Sequence, residues 1–249
     1  MIMKVSAVIL TKNEVGKLKK RISELAFCDE IVVIDDYSTD KSVDISRKMG
    51  CRVYQRHLNN NFAAQRNFGL AKSTGEWILF VDTDEKVSKD LAVEIKTAVK
   101  DIHNAYKIPR NDVFNGRILK YGSWSRSHLR LAKKSSGKWK RAIHEYWDVR
   151  GRIGELQNPI LHYSHSDVKS FMKSINKYVV LHSKENESEG KRASIGKIIL
   201  WPLGKFIQNF IVLRGYKDGV EGLIYAMMLS FHSFVAWSTH YMSHEEQNT

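Results

Sequence analysis

The chain is best understood from residues 77–85, which read Trp77-Ile78-Leu79-Phe80-Val81-Asp82-Thr83-Asp84-Glu85. Five apolar residues, rich in strand-forming side chains, run directly into carboxylates, which indicates a buried strand with acids at its carboxyl end. Asp82 and Asp84 are two positions apart, so we expect both to point to the same side of extended backbone. Such a pair favours a cation, and hard oxygen ligands suit Mg²⁺ or Mn²⁺. A solvated acidic turn is the alternative interpretation.

Three more strand-like segments precede this one, and helical segments separate them. The predicted strands cover residues 5–10, 31–34, 52–55 and 77–81. Strands that alternate with helices predict an α/β fold with a mainly parallel sheet flanked by helices. Polar residues collect after the first, second and fourth strands, at the edge where open α/β sheets bind ligands.

Candidate ligand-binding side chains occupy successive loops at this predicted edge. They are Thr11, Asn13, Glu14, Asp36, Arg66, Asp82 and Asp84. The Asp36 carboxylate can accept a hydrogen bond from a nucleobase N–H, and Arg66 can pair with a base carbonyl or a phosphate. A cation on Asp84 would neutralise a diphosphate. The chain has neither G-x-G-x-x-G after the first strand nor G-x-x-x-x-G-K-[ST], so we predict a nucleotide-diphosphate site of another type.

The positive charge of the chain lies mainly in its second part. Residues 1–99 carry 16 Lys and Arg against 14 Asp and Glu, whereas residues 100–249 carry 24 against 13. This excess indicates an anionic neighbour, which is a nucleic acid, a phosphorylated substrate or an anionic membrane face. Cys28 and Cys51 form no C-x-x-C pair, and no secretory signal is visible, so a reducing cytosol is the simplest setting.

Residues 110–152 combine cations with aromatic side chains. They hold 12 Lys and Arg, three acids, and the aromatic residues Trp124, Trp139, Tyr146 and Trp147. This mixture can bind nucleic acid, but it also suits an acceptor that carries sugar rings and phosphates. The ordinary alternative is a solvated basic face over core aromatics.

Glu145, preceded by His144, is the sharper signal in this region because it is one of the three acids there. A carboxylate in a ligand-binding region can act as a general base that takes the proton of a reacting hydroxyl group. We predict Glu145 as this base, oriented by His144. A structural ion pair between Glu145 and Arg141 or Arg150 is the alternative.

The last third contains two apolar segments, at residues 195–213 and 220–237, separated by a turn at residues 214–219. Neither is an uninterrupted run of the roughly 20 apolar residues that a spanning helix needs. We therefore predict amphipathic helices in a membrane interface, attracted by Lys and Arg to an anionic leaflet. An oligomer interface, a helix pair that covers the core, and a single span by residues 220–240 remain alternatives.

Three runs, LTKNE, DEIVVIDDYSTD and AAQRNFGLAKSTGEWILFVDTDE, resemble the nucleotide-sugar half of family 2 inverting glycosyltransferases of GT-A fold. The lipopolysaccharide-core β-1,4-glucosyltransferase group is the most similar. The resemblance implies a Rossmann-like sheet and gives roles to five side chains: uracil for Asp36, base or phosphates for Arg66, ribose for Asp82, metal for Asp84, and a third metal ligand or diphosphate clamp for His162. His162 is otherwise a core histidine. Tyr37 stands where many relatives have glycine, and we expect little effect on the site.

The predicted organisation is a GT-A domain at residues 1–190, with nucleotide-sugar binding in 1–100 and acceptor chemistry in 101–165, followed by a helical extension at 191–249. The predicted activity moves a hexose, with glucose expected, from a UDP-sugar to a lipopolysaccharide-core or lipid-linked acceptor, with Mn²⁺ or Mg²⁺ as cofactor. We expect a cytoplasmic enzyme that is peripheral (monotopic) at the inner membrane and able to form a homo-oligomer.

Three alternatives to this function stay open. The first two are a polyprenyl-phosphate or peptide glycosyltransferase and a catalytically inactive scaffold docked on the membrane. The third is a basic nucleic-acid-binding module, which would not explain carboxylates aligned at a sheet edge. We therefore expect no nucleic acid partner.

Overall fold

The computed structural model describes residues 4–122, 127–142, 145–165, 167–175, 179, 191 and 193–246. Trp124 and His144 lie outside this part of the chain. The chain forms two compact units, one of Met1–Arg110 with Arg126–His162 and one of Asn111–Ser125 with Tyr163–Thr249. This division differs from the one predicted at residue 190.

The first unit is built on strands that the sequence pattern largely anticipates. The strands of the chain are β1 (Val5–Thr11), β2 (Glu30–Asp35), β3 (Arg52–Gln55), β4 (Trp77–Phe80), β5 (Glu85–Lys86), β6 (Ala105–Phe114), β7 (Arg117–Ile118), β8 (Ser127–Lys133), β9 (Gly137–Lys140), β10 (Tyr146–Val149), β11 (Ile153–Glu155) and β12 (Ile160–His162). The main sheet has the order β3-β2-β1-β4-β8-β6-β12-β5, and β9 and β10 form a separate antiparallel pair.

The register of the parallel strands fixes the ligand-binding edge. β1 pairs in parallel with β2 and β4, with Thr11 opposite Asp35 and Val8 opposite Phe80. The residues that follow β1, β2 and β4 therefore lie at one edge of the sheet, as predicted. β8 is antiparallel to β4 and β6, which makes the sheet mixed.

Helices flank this sheet and supply its second layer of core. They are α1 (Val15–Glu24), α2 (Ser42–Lys48), α3 (Phe62–Lys72) and α4 (Lys89–Ala98). The Asn61 side chain caps α3 by accepting from Ala64 N at 2.9 Å. α3 also approaches the sheet closely, because a Cβ on Gly69 would lie 2.6 Å from Val8 Cγ1. This close packing carries the α3 residue Arg66 against the sheet.

The second unit is mainly helical. Residues 168–175 are helical, and α5 (Ile195–Phe206) continues into a π-helical turn, Ile207–Val212, before α6 (Gly219–Glu246). The Asp218 carboxylate accepts hydrogen bonds from Lys120 N at 3.1 Å and Tyr121 N at 2.8 Å. Residues 111–125 therefore belong to this unit, whereas the sequence pattern assigned them to the first domain.

Two helical stretches of this unit are long and apolar enough to cross a membrane by length and composition alone. They are Ile195–Val212, of mean hydropathy 1.2, and Gly215–Ser243, of mean hydropathy 1.3. Few of their residues are buried within the protein, at 11% and 22% of the two stretches. Both stretches therefore expose apolar side chains.

Candidate active site

The acids after β4 lie in a turn. β4 ends at Phe80, and Glu85 N donates to Asp82 O at 3.0 Å. The Glu85 carboxylate in turn accepts from Asp82 N at 3.0 Å. The expectation that Asp82 and Asp84 share one side of extended backbone is wrong, because the chain turns as soon as it leaves the sheet. The two carboxylates have different neighbours.

Asp82 lies between two arginines. Its carboxylate accepts from Arg66 Nη2 at 3.0 Å and from Arg130 Nη2 at 2.8 Å. Burial opposes the ionisation of Asp82, but the two guanidinium groups outweigh it and hold the pKa of Asp82 well below its usual range. The two guanidinium groups therefore keep Asp82 ionised without a metal ion beside it.

Arg130 also anchors the turn itself. Its Nη2 donates to Glu85 Oε1 at 2.8 Å, and Glu85 is only 1% exposed. Burial raises the pKa of Glu85, and Arg130 partly offsets this effect. From α1, Arg21 donates to the carbonyl oxygen of Glu85 at 2.8 Å. The turn that carries Asp82 and Asp84 is thus fixed by two buried arginines.

Arg66 connects Asp82 with Glu145. Its Nε donates to Glu145 Oε1 at 2.9 Å, and its guanidinium lies 4.8 Å from the centre of the Trp139 ring. The ion-pair alternative for Glu145 named Arg141 or Arg150, but the observed partner is Arg66, 79 residues away in sequence. Arg66 Nη1 is buried and has no hydrogen-bond partner in the described part of the chain.

Asp36 follows β2 at the same edge of the sheet. It accepts from Lys12 Nζ at 2.7 Å and from Leu58 N at 3.1 Å. Burial opposes its ionisation, but these hydrogen bonds outweigh it and lower the pKa of Asp36. Tyr37 adopts a φ of 48° and stacks on His57 at 4.0 Å. Glycine adopts such a left-handed backbone more readily than tyrosine does.

The residues after β1 divide into two groups. Thr11 is buried, and its hydroxyl has no hydrogen-bond partner among the described residues. Asn13 Oδ1 accepts from Thr39 N at 2.7 Å, and Glu14 pairs with Lys17 at 3.1 Å. Asn13 therefore shapes the loop after β2. The hydroxyl of Thr11, at the end of β1, is the group suited to meet a ligand.

Asp84 faces His162 of β12, with 3.6 Å between Asp84 Oδ2 and His162 Nε2. Among the described residues, no group of three or more His, Cys, Asp or Glu side chains could hold a metal ion. Mg²⁺ and Mn²⁺ commonly use one or two protein ligands and complete their shells with water and phosphate oxygens. The pair fits a cation that arrives with a phosphorylated ligand and does not fit a cation held by protein alone.

The structure thus gathers most of the predicted site residues at one edge of the first unit. Arg130, Glu85 and Arg21 support them and were missing from the sequence prediction. A sequence signal for Arg130 did exist, since it is a charged residue flanked by Leu129 and Leu131 in the segment that forms β8. A charge inside a buried strand needs a partner.

Comparisons with known proteins show the family to which the chain belongs. Residues 6–152 match the sequence model described as glycosyl transferase family 2. An uncharacterised glycosyltransferase of Rickettsia bellii is 26% identical over 248 residues, covering 93% of this chain and 84% of the relative. The lipopolysaccharide core biosynthesis glycosyltransferase LpsC of Rhizobium meliloti is 26% identical over 254 residues, covering 96% and 92%.

A solved structure supports the fold. The crystal structure of Staphylococcus aureus TarS 1–349 matches with a TM-score of 0.51 at 17% identity, covering 98% of this chain and 92% of that one. At this identity the match shows the fold alone. The family model matches residues 6–152, and the sheet is mixed, mostly parallel and flanked by helices. The chain therefore belongs to glycosyl transferase family 2 and has the Rossmann-like α/β fold called GT-A.

Proposed function

We propose that this glycosyltransferase moves a hexose, with glucose as the expected sugar, from a UDP-sugar to an acceptor hydroxyl with inversion at the anomeric carbon. The observation that carries the proposal is the link that Arg66 makes between Asp82 and Glu145. One guanidinium joins the carboxylate proposed for the donor ribose to the carboxylate proposed as general base. Donor and acceptor would therefore meet at Arg66.

The donor half of the site is proposed from its polar groups. Asp36 would accept from the uracil ring, beside the exposed face of Tyr37. The buried Thr11 hydroxyl and Arg66 Nη1 would donate to oxygen atoms of the donor, because a buried donor without a partner is costly. Asp84 and His162 would hold Mn²⁺ or Mg²⁺, which would stabilise the negative charge of the departing diphosphate.

The transfer step is proposed to use Glu145 as its base. The acceptor oxygen forms a bond to the anomeric carbon as the bond from that carbon to the diphosphate breaks, and the hydroxyl proton passes to Glu145. Arg66 would orient the Glu145 carboxylate, and His144, outside the described residues, remains the proposed second orienting group. A single carboxylate is enough because the diphosphate leaves without being protonated.

The acceptor is proposed to be a lipopolysaccharide-core or lipid-linked glycan. The name of the LpsC relative and the resemblance of the sequence to core glucosyltransferases support this choice. The exposed apolar residues of the second unit support association with the cytoplasmic face of a membrane. A peripheral location would bring the site close to such an acceptor.

A donor screen tests the proposal directly. Purified protein is mixed with UDP-sugars and other nucleotide sugars, and release of the nucleoside diphosphate is measured with Mn²⁺, with Mg²⁺ and with EDTA. We expect turnover of a UDP-hexose that requires the cation. Equal turnover in EDTA would refute the metal site, and turnover of a purine-nucleotide sugar alone would refute the UDP site.

A further inference from the structure

α5 and α6 form an antiparallel pair whose two broad faces differ in chemistry. Ser230 Oγ donates to Pro202 O at 2.7 Å, and the Trp201 and Trp237 rings lie 6.0 Å apart. Near the start of α5, Lys197 Nζ lies 4.9 Å from the centre of the Trp237 ring, whereas the later Pro202 contacts the earlier Ser230, so the two helices run antiparallel. The pair therefore has two long grooves along its length.

One groove, here called the apolar face, has a volume of about 570 Å³. Its lining includes Ile199, Leu203, Phe206, Met227, Phe231 and Phe234. Leu203 is 56% exposed and Phe231 is 40% exposed. Ser230 also lines this groove, but its hydroxyl proton is already donated to Pro202 O. The apolar face therefore suits hydrocarbon.

The other groove, here called the cationic face, has a volume of about 690 Å³. Its lining holds Lys191 and Lys205 beside the polar Gln208 and His232, together with apolar side chains that include Leu200 and Trp201. Leu203 and Lys205 are two residues apart, which turns them by about 200° around a helix, so the two faces lie on opposite sides of α5. Phe231 and Ser233 have the same relation on α6.

The length between polar anchors argues against a membrane crossing by this pair. Near one end of α6, Tyr225 donates its hydroxyl to Asp112 at 3.1 Å. Near the other end, His240 is 1% exposed and lies 2.7 Å from the carbonyl oxygen of Lys191. Fifteen residues of helix rise about 22 Å, which is shorter than the ~30 Å hydrocarbon layer.

We infer that α5 and α6 lie flat in an anionic bilayer surface, with the apolar face in the acyl chains and the cationic face toward the phosphate headgroups. This inference rests on the proposed membrane association and adds the orientation of the pair. A second copy of the chain could cover the apolar face, but it would give no counterpart to the cations opposite. A bilayer interface supplies hydrocarbon on one side and anionic headgroups on the other.

Matched charge insertions on the two faces test the orientation. Full-length Leu203→Glu and Phe231→Glu change the apolar face, whereas Gln208→Glu and Ser233→Glu add the same charge to the cationic face. Binding is measured by flotation with phosphatidylcholine vesicles that contain or lack phosphatidylglycerol. We expect the first pair to lose at least about fiftyfold in binding, because each variant loses apolar burial as well as one unit of charge, and the second pair to lose only the roughly fivefold that one unit of charge contributes.

A neutralised lysine tests the headgroup side. Lys205→Gln should weaken binding to phosphatidylglycerol vesicles about fivefold and leave binding to pure phosphatidylcholine unchanged, since one cation contributes about 1 kcal/mol. Each variant should retain turnover of a UDP-sugar in solution, which would show that the first unit is folded. This control separates the test of membrane binding from the test of the proposed transferase.

Three results would overturn the inference. Equal losses on both faces would refute the orientation. Absence of vesicle binding by the wild-type chain would refute the bilayer as occupant, and cation-dependent turnover of a UDP-sugar would then still stand. Conversion of a dimer to a monomer by Leu203→Glu without vesicles would assign the apolar face to a second copy.

Discussion

The two compact units differ in the kind of side chain that lies in an unfavourable environment: the first unit buries charged side chains, and the second exposes apolar ones. In the first unit, the charged residues Arg66, Asp82 and Arg130 are largely buried, and each has an ionic partner within about 3 Å. In the second unit, Leu203 and Phe231 are exposed in a groove. Buried charge persists only when it is compensated inside the fold. Exposed apolar surface gains from a partner outside it. The first unit thus contains a preformed network of paired charges, and the second exposes the apolar groove on which the proposed membrane binding rests.

The largest expected effect concerns the proposed base. Glu145→Gln should lower the rate of sugar transfer by about a hundredfold to ten-thousandfold, because the amide cannot take the hydroxyl proton. UDP binding, measured by calorimetry, should remain close to that of the wild type. Asp148→Asn is the matched control, since Asp148 lies in β10, three residues after Glu145, but forms an exposed ion pair with Lys140. Wild-type transfer by Glu145→Gln would exclude Glu145 as the base.

A large loss of stability is expected when Arg130 is removed from the buried network that it forms with Asp82 and Glu85. Arg130→Leu should lower the free energy of unfolding by about 3–5 kcal/mol, because Asp82 and Glu85 would each lose a buried partner. Urea denaturation measures this difference. The control is Lys140→Met, whose solvent-exposed ion pair with Asp148 should leave the free energy of unfolding close to that of the wild type. Similar losses from both variants would contradict the contrast between buried and exposed pairs.

Removal of an exposed apolar side chain from the second unit should barely change stability. Leu203→Ser is expected to alter the free energy of unfolding by less than about 0.5 kcal/mol without membrane, because Leu203 is already 56% exposed. The same urea titration checks this value. A loss of several kcal/mol would show that Leu203 belongs to a folded core and not to a docking surface.

The smallest expected effect concerns pH. The pKa of Asp36 lies below the ordinary value of about 3.9, so its carboxylate remains ionised at pH 5. The ionised Asp36 carboxylate should contribute fully to stability and to binding of the base at pH values above the ordinary pKa. Both contributions should be lost only as the pH falls through the lowered pKa of Asp36 in the folded protein. Calorimetric titration with uridine should give affinities at pH 7 and pH 5 that agree within about twofold. A marked loss at pH 5 would contradict the assignment of Asp36.

The sequence was a good guide to the fold, because the signals are local. Apolar strands of a few residues, such as 31–34 and 77–80, alternate with helices, and a parallel sheet then places the ends of β1, β2 and β4 at one edge. The alternation predicts the mainly parallel α/β sheet, whereas the GT-A fold was implied by the resemblance of the motifs to family 2 glycosyltransferases, and the family match confirms that resemblance.

The details of the site were less predictable, because they depend on partners far apart in the chain. Arg66 and Glu145 are 79 residues apart, and Arg130 lies 48 residues from Asp82. Strand periodicity carries no information on such pairs. The turn at Asp82 was missed for a related reason, since only the position of Arg130 and the carboxylate of Glu85 show why the chain bends there.

Binding of UDP with and without Mn²⁺, compared between the wild type and Asp84→Ala, tests whether the turn after β4 holds a cation-dependent nucleoside diphosphate site. Calorimetry should show that Mn²⁺ strengthens UDP binding by the wild-type chain at least about tenfold, and that Asp84→Ala loses this gain while still binding uridine. The account would be contradicted if Mn²⁺ strengthened UDP binding equally in both proteins.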